Sequence, residues 1–359
     1  MTELLESPRD PVLQEDLEAI AASPLPFEAL AGACVLVTGA TGLVGISLVR
    51  ALLCVNRRRK LRMRIMALVR NPEKAGALYG HLAERPELTL VTGDVTEPVA
   101  VEAPVEYVFH CAGVTASKEM VTKPVETLMT AVVGTHHLLA LAAEKRVRSF
   151  VYVSSMEMYG TFADAGHPVT ERELGYIDPL QVRSNYPESK RLCENLCVAY
   201  HSEYGVPVKI ARLAQTFGAG VLPGENRVFA QFARSALAGQ DIVLHTRGLS
   251  EGNYCYTRDT VAGLLTILLK GANGEAYNVT NPATHTTIGA MAQLVCDRLS
   301  GGRSRVVFDI PAENTYGYAA DTKMKLSADK LMALGWQPEI GLEEAYRRLM
   351  ASLKSERER

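Results

Sequence analysis

Read only for its apolar and polar positions, the chain alternates short, almost wholly apolar runs with longer stretches of helical period. Runs from residue 34 and at 65–69, 88–91, 105–110, 150–154 and 208–212 carry too little polar alternation for strands with one wet face. They read as strands buried on both sides. Between them lie amphipathic or apolar helical stretches, including one from Gly45 to about residue 55 and a long one over 124–145. Strand and helix in strict alternation predict an α/β fold built on a doubly wound parallel sheet.

After residue 215 the period weakens. Helices are expected over 227–239, 287–299 and 342–353, with a strand passing into a helix over 254–269. The expected organisation is an N-terminal extension (1–31), a main sheet domain (32–215) and a smaller C-terminal α/β region (216–359). Pro8, Pro11, Pro24 and Pro26 punctuate the extension, and 12–22 reads as a surface helix packed on the main domain rather than an arm for a partner.

The first strand runs into Thr38-Gly39-Ala40-Thr41-Gly42-Leu43-Val44-Gly45. Gly39 permits a tight turn, Gly42 lets backbone approach a pyrophosphate, and Gly45 lets helix and strand pack closely. The helix N-terminus then offers free N–H groups to phosphates. With a strand before it and a helix after it, this is the context of a dinucleotide-binding Rossmann motif, with Gly39, Thr41, Gly42, Leu43, Val44 and Gly45 as cofactor residues. The second strand ends in Arg70-Asn71, where a carboxylate would mark NAD. An Arg there pairs with a 2′-phosphate, which favours NADP over NAD; otherwise it stacks on adenine or points to water. Asp94 and Val95, after the third strand, are placed to read the adenine edge, and Ala112, after the fourth, lets backbone lie along the cofactor. His110 reads as a satisfied core histidine.

The chemistry concentrates in two segments. The fifth strand ends in Ser154-Ser155-Met156-Glu157, and a later helix opens with Tyr186-Pro187-Glu188-Ser189-Lys190. Tyr186 is the only tyrosine with a lysine four places on, which sets both side chains on one helix face. An ammonium beside a phenol favours the phenolate. With Ser155 to hold a hydroxyl against that phenol, the set could start a carbinol oxidation.

Composition trims the alternatives. A net charge of −2 argues against nucleic acid as a general partner. The Arg57-Arg58-Arg59-Lys60 run is therefore read as a solvated turn. Apolar runs such as 261–269 are shorter than a membrane span needs, so no membrane is expected. Seven scattered cysteines fit free thiols in a reducing cytoplasm. Cys193 and Cys197 share a helix face, but no further ligand completes a metal set, and no metal is expected.

Together, VLVTGATGLVG from Val35, GDV at Gly93, FVYVSSMEMYG from Phe150, YPESK at Tyr186 and ARLAQTFG from Ala211 resemble the extended short-chain dehydrogenase/reductase family, specifically its NAD-dependent epimerase/dehydratase group. The stretches NRVFAQFARSALAGQDIVLH from Asn226 and LGWQP ending at Pro338 are similar to UDP-glucuronate decarboxylases and 4,6-dehydratases. The resemblance implies that Tyr186 takes the sugar 4-hydroxyl proton, that Lys190 lowers the phenol pKa and holds the nicotinamide ribose, and that Ser155 binds the same hydroxyl. It places Glu157 where dehydratases and decarboxylases keep a glutamate; hydrogen bonding to a sugar hydroxyl or to the next loop is its other reading. It also places Ser155, Met156, Gln215, Arg227 and Asn253 against the substrate.

Several positions depart from the pattern. Met156 replaces an aspartate, Ala131 and Gln215 replace asparagines, and Asn253 and Tyr316 replace arginines. Arg183, Arg227 and Arg247 are candidates for the missing charge, Arg227 first.

The expected function is oxidation of a nucleotide sugar at C4 with bound NAD(P), followed by decarboxylation, dehydration or epimerisation of the 4-keto species. Asn253 counts against decarboxylation. The alternatives are an NADP-dependent carbonyl reductase and a non-catalytic cofactor-binding protein. The resemblance also implies a homodimer paired through helices 124–145 and 186–204.

Overall fold

The computed structural model describes residues 5–162, 166–222, 224–311 and 322–357. Its centre is a parallel sheet. The six expected strands form as β1 (Cys34–Thr38), β2 (Arg64–Val69), β3 (Leu88–Thr92), β4 (Tyr107–His110), β5 (Ser149–Ser155) and β6 (Val208–Leu213). A seventh strand, Ala276–Val279, joins the edge, so the C-terminal half of the chain returns once to the sheet. Across the sheet the order is Ala276–Val279, β6, β5, β4, β1, β2, β3. The strand order reverses between β1 and β4, where a doubly wound sheet opens its crevice. β1, β4 and β6 are buried along their whole length, as their apolar runs require. The seventh strand, Ala-Tyr-Asn-Val, is short and carries a polar residue, so its apolar pattern did not announce it.

The expected helix 124–145 forms as Pro124–Lys145 and packs beside helix Asn185–Tyr204 on one face of the sheet. Among the described residues it is the one helix long and apolar enough to cross a membrane, although polar residues interrupt its apolar run. Half of that stretch is buried in the fold, where Leu138, Leu139 and Ala142 meet Phe150, Cys193 and Cys197.

The N-terminal segment is a surface helix, as expected, and the basic run explains how it is held. α1 (Pro11–Ala22) is capped by Asp10, whose carboxylate accepts the Leu13 N–H at 3.0 Å. α2 (Leu43–Arg59) continues past residue 55, so Arg57, Arg58 and Arg59 form its last turn rather than a loop. Arg57 is buried between Glu6 and Glu18, and Arg59 donates to the Ala21 and Ser23 carbonyls. Glu6, Glu18 and Cys54 thus converge on a cation that the chain supplies itself. On its other side α1 meets the C-terminal region: Asp16 accepts from the Tyr256 hydroxyl at 2.6 Å and pairs with Arg348 at 2.8 Å. The helix braces the glycine-motif helix against helices Thr257–Lys270 and Leu342–Arg357.

Candidate active site

At the β1 exit the three glycines have separate reasons. Gly39 sits at φ +62°, and a Cβ there would lie 2.7 Å from the Cys111 carbonyl and the Ala112 nitrogen. A Cβ on Gly45 would lie 2.3 Å from the Gly39 carbonyl oxygen. Gly42 is the exposed residue before α2, with only the Gly39 oxygen at 3.4 Å from a would-be Cβ. The N–H groups of Leu43, Val44 and Gly45 have no carbonyl within the helix to reach, so they open toward the crevice with the positive end of the helix dipole. Thr41 flanks them, half-buried. A bare, glycine-walled cradle of N–H donors fits a dinucleotide pyrophosphate.

The β4 exit lies against this turn. Thr38 Oγ1 meets His110 Nδ1 at 2.8 Å and accepts the Ala112 N–H at 3.1 Å, while His110 Nε2 meets Thr135. Burial, with the Lys190 charge nearby, pushes His110 down to about 3, so it is a neutral core residue as expected. Toward the adenine end, Asp94 accepts from the Thr96 N–H and hydroxyl, which, with Arg70, hold its carboxyl below the usual range against the opposing effect of desolvation. Arg70 reaches Asp94 at 3.8 Å but is 65% exposed and free to turn to another anion. Asn71 is spent as the cap of helix Pro72–Tyr79. Val95 is buried against Gly134 rather than turned to the crevice, which leaves its backbone alone to face a cofactor.

β5 and helix Asn185–Tyr204 bring the reactive groups together. Ser155 ends β5 and its hydroxyl accepts the Glu157 N–H at 3.2 Å, starting the single 3-10 turn Met156–Tyr159. Lys190 is buried and donates to the Val153 carbonyl at 2.8 Å, with its Nζ 5.7 Å from the Tyr186 ring centroid. In the empty protein the Tyr186 phenol stands above its ordinary value. Burial pushes it up to about 12, the Glu157 charge adds to this, and the Ser155 hydrogen bond with the charges of Arg183 and Arg227 only partly offsets it.

Arg183 is the arginine that enters the site. Its Nη2 donates to Glu157 at 2.9 Å, its guanidinium lies 5.8 Å from the Tyr186 ring centroid, and among the described residues its other N–H groups meet no acceptor. Arg227, expected first, is already held by Glu225 through Nε at 3.0 Å and Nη2 at 2.6 Å and rests on Phe229; it reaches Tyr186 only through its field. Arg247 is exposed.

The structure corrects two substrate positions. Asn253 is completely buried, donates to the Asn281 carbonyl at 3.1 Å and accepts the Leu326 N–H at 2.8 Å, so it is a structural residue with nothing left for a ligand. Met156 belongs to a small apolar cluster with Met158, Tyr159, Met324 and Leu326. It is Gly252 whose Cβ position faces Met156, so that strand brings no cation. Gln215 is half-buried at the start of its strand. Ala131 contributes only its carbonyl, to the Cys193 thiol. Tyr316 lies outside the described residues.

The sequence reading missed what fastens the turn bearing Glu157. Arg191 donates to the Met158, Tyr159 and Gly175 carbonyls, and Glu194 accepts from Ser154 at 2.6 Å and from Arg212 at 2.7 Å. Tyr186, Lys190 and Glu194 are spaced i, i+4, i+8 on one helix face, and that third member was a readable signal. A cleft of about 320 Å³ lies away from this chemistry, between Arg212, Glu194, Glu275 and Lys330, charges that pair with one another.

A profile of the NAD dependent epimerase/dehydratase family matches residues 35–280, which span the glycine cradle, Ser155, Tyr186 and Lys190. The chain belongs to this family. It is 32% identical over 311 residues to UDP-glucuronic acid decarboxylase 6 of Arabidopsis thaliana, covering 86% of this chain and 85% of that one. A second Arabidopsis relative, UDP-glucuronic acid decarboxylase 3, is 30% identical over 311 residues, 86% of each chain. Among solved structures, epimerase Mth375 of Methanothermobacter thermautotrophicus superposes with a TM-score of 0.76 at 25% identity, covering 92% of this chain and 95% of that one. The dTDP-glucose 4,6-dehydratase DesIV of Streptomyces venezuelae shares the fold, with a TM-score of 0.75 at 24% identity over 90% and 98% of the two chains. As an epimerase/dehydratase-family protein, the chain is an NAD-dependent enzyme.

Proposed function

We propose that this enzyme oxidises a nucleotide-linked uronic acid at C4 and decarboxylates the resulting 4-keto sugar, with UDP-glucuronic acid as the substrate to test first. The observation that carries the proposal is Arg183: a guanidinium over Tyr186, held at one end by Glu157, with its remaining donors free for a sugar carboxylate. The named relatives support it, and Arg183 would supply the cation that Asn253, buried in the scaffold, does not.

The dinucleotide held on the Leu43, Val44 and Gly45 N–H groups supplies the hydride acceptor. Ser155 orients the sugar 4-hydroxyl and Tyr186 takes its proton. A phenol raised by burial cannot do this unaided, and a positive charge beside the ring lowers its pKa in the bound state. Once C4 is a ketone, the C5 carboxylate belongs to a β-keto acid and leaves as CO2, its electron pair delocalised onto the C4 oxygen. Tyr186 would hold that oxygen and Glu157 serve proton return at C5; return of the hydride to C4 from the bound dinucleotide, with the Tyr186 proton going back to the C4 oxygen, would then give the pentose and leave the cofactor oxidised. NADP is proposed over NAD on Arg70, whose long ion pair with Asp94, at 3.8 Å, leaves its guanidinium exposed for a 2′-phosphate.

We further propose a homodimer through helices Pro124–Lys145 and Asn185–Tyr204, which leave Val125, Met129, Leu192, Val198 and Tyr204 exposed. Seven unpaired cysteines support a reducing compartment such as the cytoplasm.

Denaturing the purified protein and identifying the released dinucleotide and sugar nucleotide tests the reading, followed by incubation with UDP-glucuronic acid. Retained NAD(P), CO2 release and a UDP-pentose are expected. An empty protein that consumes added NADPH on simple ketones would sink the proposal and favour the reductase.

A further inference from the structure

Lys190 poses an electrostatic problem that its own hydrogen bonds do not solve. The ammonium is buried and has three N–H donors, of which the protein accepts one, at the Val153 carbonyl. Among the described residues no carboxylate lies within ion-pair distance of it. Glu194, one turn along the same helix, is consumed by Arg212 and Ser154. The other titratable groups around it are His110 and Cys111 from the β4 exit and Tyr186, Cys193 and Cys197 from its own helix. None of these is a carboxylate, so none is a standing counter-ion for the ammonium.

What lies against the ammonium is the Tyr152 ring, with Nζ 4.9 Å from its centroid, closer than the Tyr186 ring at 5.7 Å. Tyr152 is on β5, on the strand face that also carries Phe150 and Ser154 toward the helix, and it is buried. Its hydroxyl meets only the Cys193 thiol region and has no partner in hydrogen-bond geometry. The ring, not the hydroxyl, is therefore the part of the side chain in use. An aromatic face attracts a desolvated cation through its quadrupole, and the effect grows as water is excluded.

We propose that Tyr152 is a positioning residue of the catalytic set, an aromatic floor whose π-face keeps the Lys190 ammonium charged and seated beneath Tyr186. The inference deepens the function proposed above, because it concerns the same lysine, but it does not depend on the identity of the substrate.

The test varies the quadrupole at nearly constant volume, using Tyr152→Phe, Tyr152→Leu and Tyr152→pentafluorophenylalanine. Lys190 protonation is read by 13C NMR titration of lysine ε-carbons, the signal being assigned by its loss in Lys190→Met. Phe should titrate like the wild type. The fluorinated ring, whose face no longer attracts a cation, should lower the midpoint by roughly one pH unit, and Leu by a similar amount. The alkaline limb of kcat should move to lower pH by the same step. A fluorinated variant that titrates like wild type overturns the proposal, as does a Phe variant that shifts equally, since that would put the effect in the hydroxyl. The near-isosteric ring keeps the test decisive if Leu fails to fold. A shift in NMR with no activity on any sugar nucleotide would count against the proposed reaction, not against the role of Tyr152.

Discussion

Replacing the motif glycines Gly45 and Gly42 with alanine one at a time should separate folding from cofactor binding. At Gly45 a Cβ would lie 2.3 Å from the Gly39 oxygen, 2.8 Å from its carbonyl carbon and 2.9 Å from Ala40 Cα, all backbone atoms. Ordinary contact would require α2 to move about 1 Å from the β1 turn, and α2 buries side chains from Ile46 to Asn56. Overpacking of this kind costs about 3 kcal/mol, or roughly 4 °C in melting temperature for a chain of this size. A displacement of about 1 Å also weakens a precisely aimed site by about a hundredfold. Gly42→Ala differs because its φ is −88° and its Cβ has room inside the protein. It should melt within about 2 °C of wild type but bind NAD(P) about tenfold to a hundredfold more weakly, because the methyl occupies the phosphate approach. Gly76→Ala, in a helix with nothing near its Cβ, is the control and should stabilise by about 0.5–1 kcal/mol. Calorimetric melting and titration with NAD and NADP read all three. A Gly42→Ala protein that binds both dinucleotides like wild type would refute the placement of the pyrophosphate.

Three further outcomes follow from the site and the core. Tyr186, at about 12 in the empty protein, should show no phenolate absorbance below pH 11, and oxidised dinucleotide should bring its band to lower pH; subtraction of a Tyr186→Phe spectrum isolates it. Arg70→Ala should lower the ratio of NADP to NAD affinity by about tenfold, as measured by titration, and an unchanged ratio would remove the argument for NADP. Lys209 is buried on Ser149 and Asn273 without a carboxylate, and desolvation lowers it to about 8. The folded state therefore binds this proton more weakly than the unfolded chain, whose lysine titrates near 10.4. The cost of burying the charge is fully present below pH 8 and is relieved as pH rises toward 10.4, by up to about 3 kcal/mol. The difference in denaturant stability between wild type and Lys209→Met should rise over that window; a flat difference would refute it.

Much of the fold could be read in advance because parallel strands buried on both faces leave uninterrupted apolar runs, and six of the seven did. The strand Ala276–Val279 was not legible: at four residues, with Asn278 buried in it, its pairing with β6 is a property of the assembled sheet. The glycine spacing located the cradle, because a backbone that must turn at positive φ and admit no Cβ leaves a mark in residue type. Tyr186, Lys190 and Ser155 were legible through helix period and strand ends. The sequence could not say which charges face the site. Arg183, Arg227 and Arg247 are equivalent as letters, and only packing ties Arg227 to Glu225, leaves Arg247 in water and sets Arg183 over Tyr186. Asn253 reads as a ligand residue in the sequence, but the fold bonds its amide on both sides. The phenol shows the same division: spacing put an ammonium near Tyr186, but burial decides its pKa, and burial is settled by the whole fold rather than by neighbours in the chain.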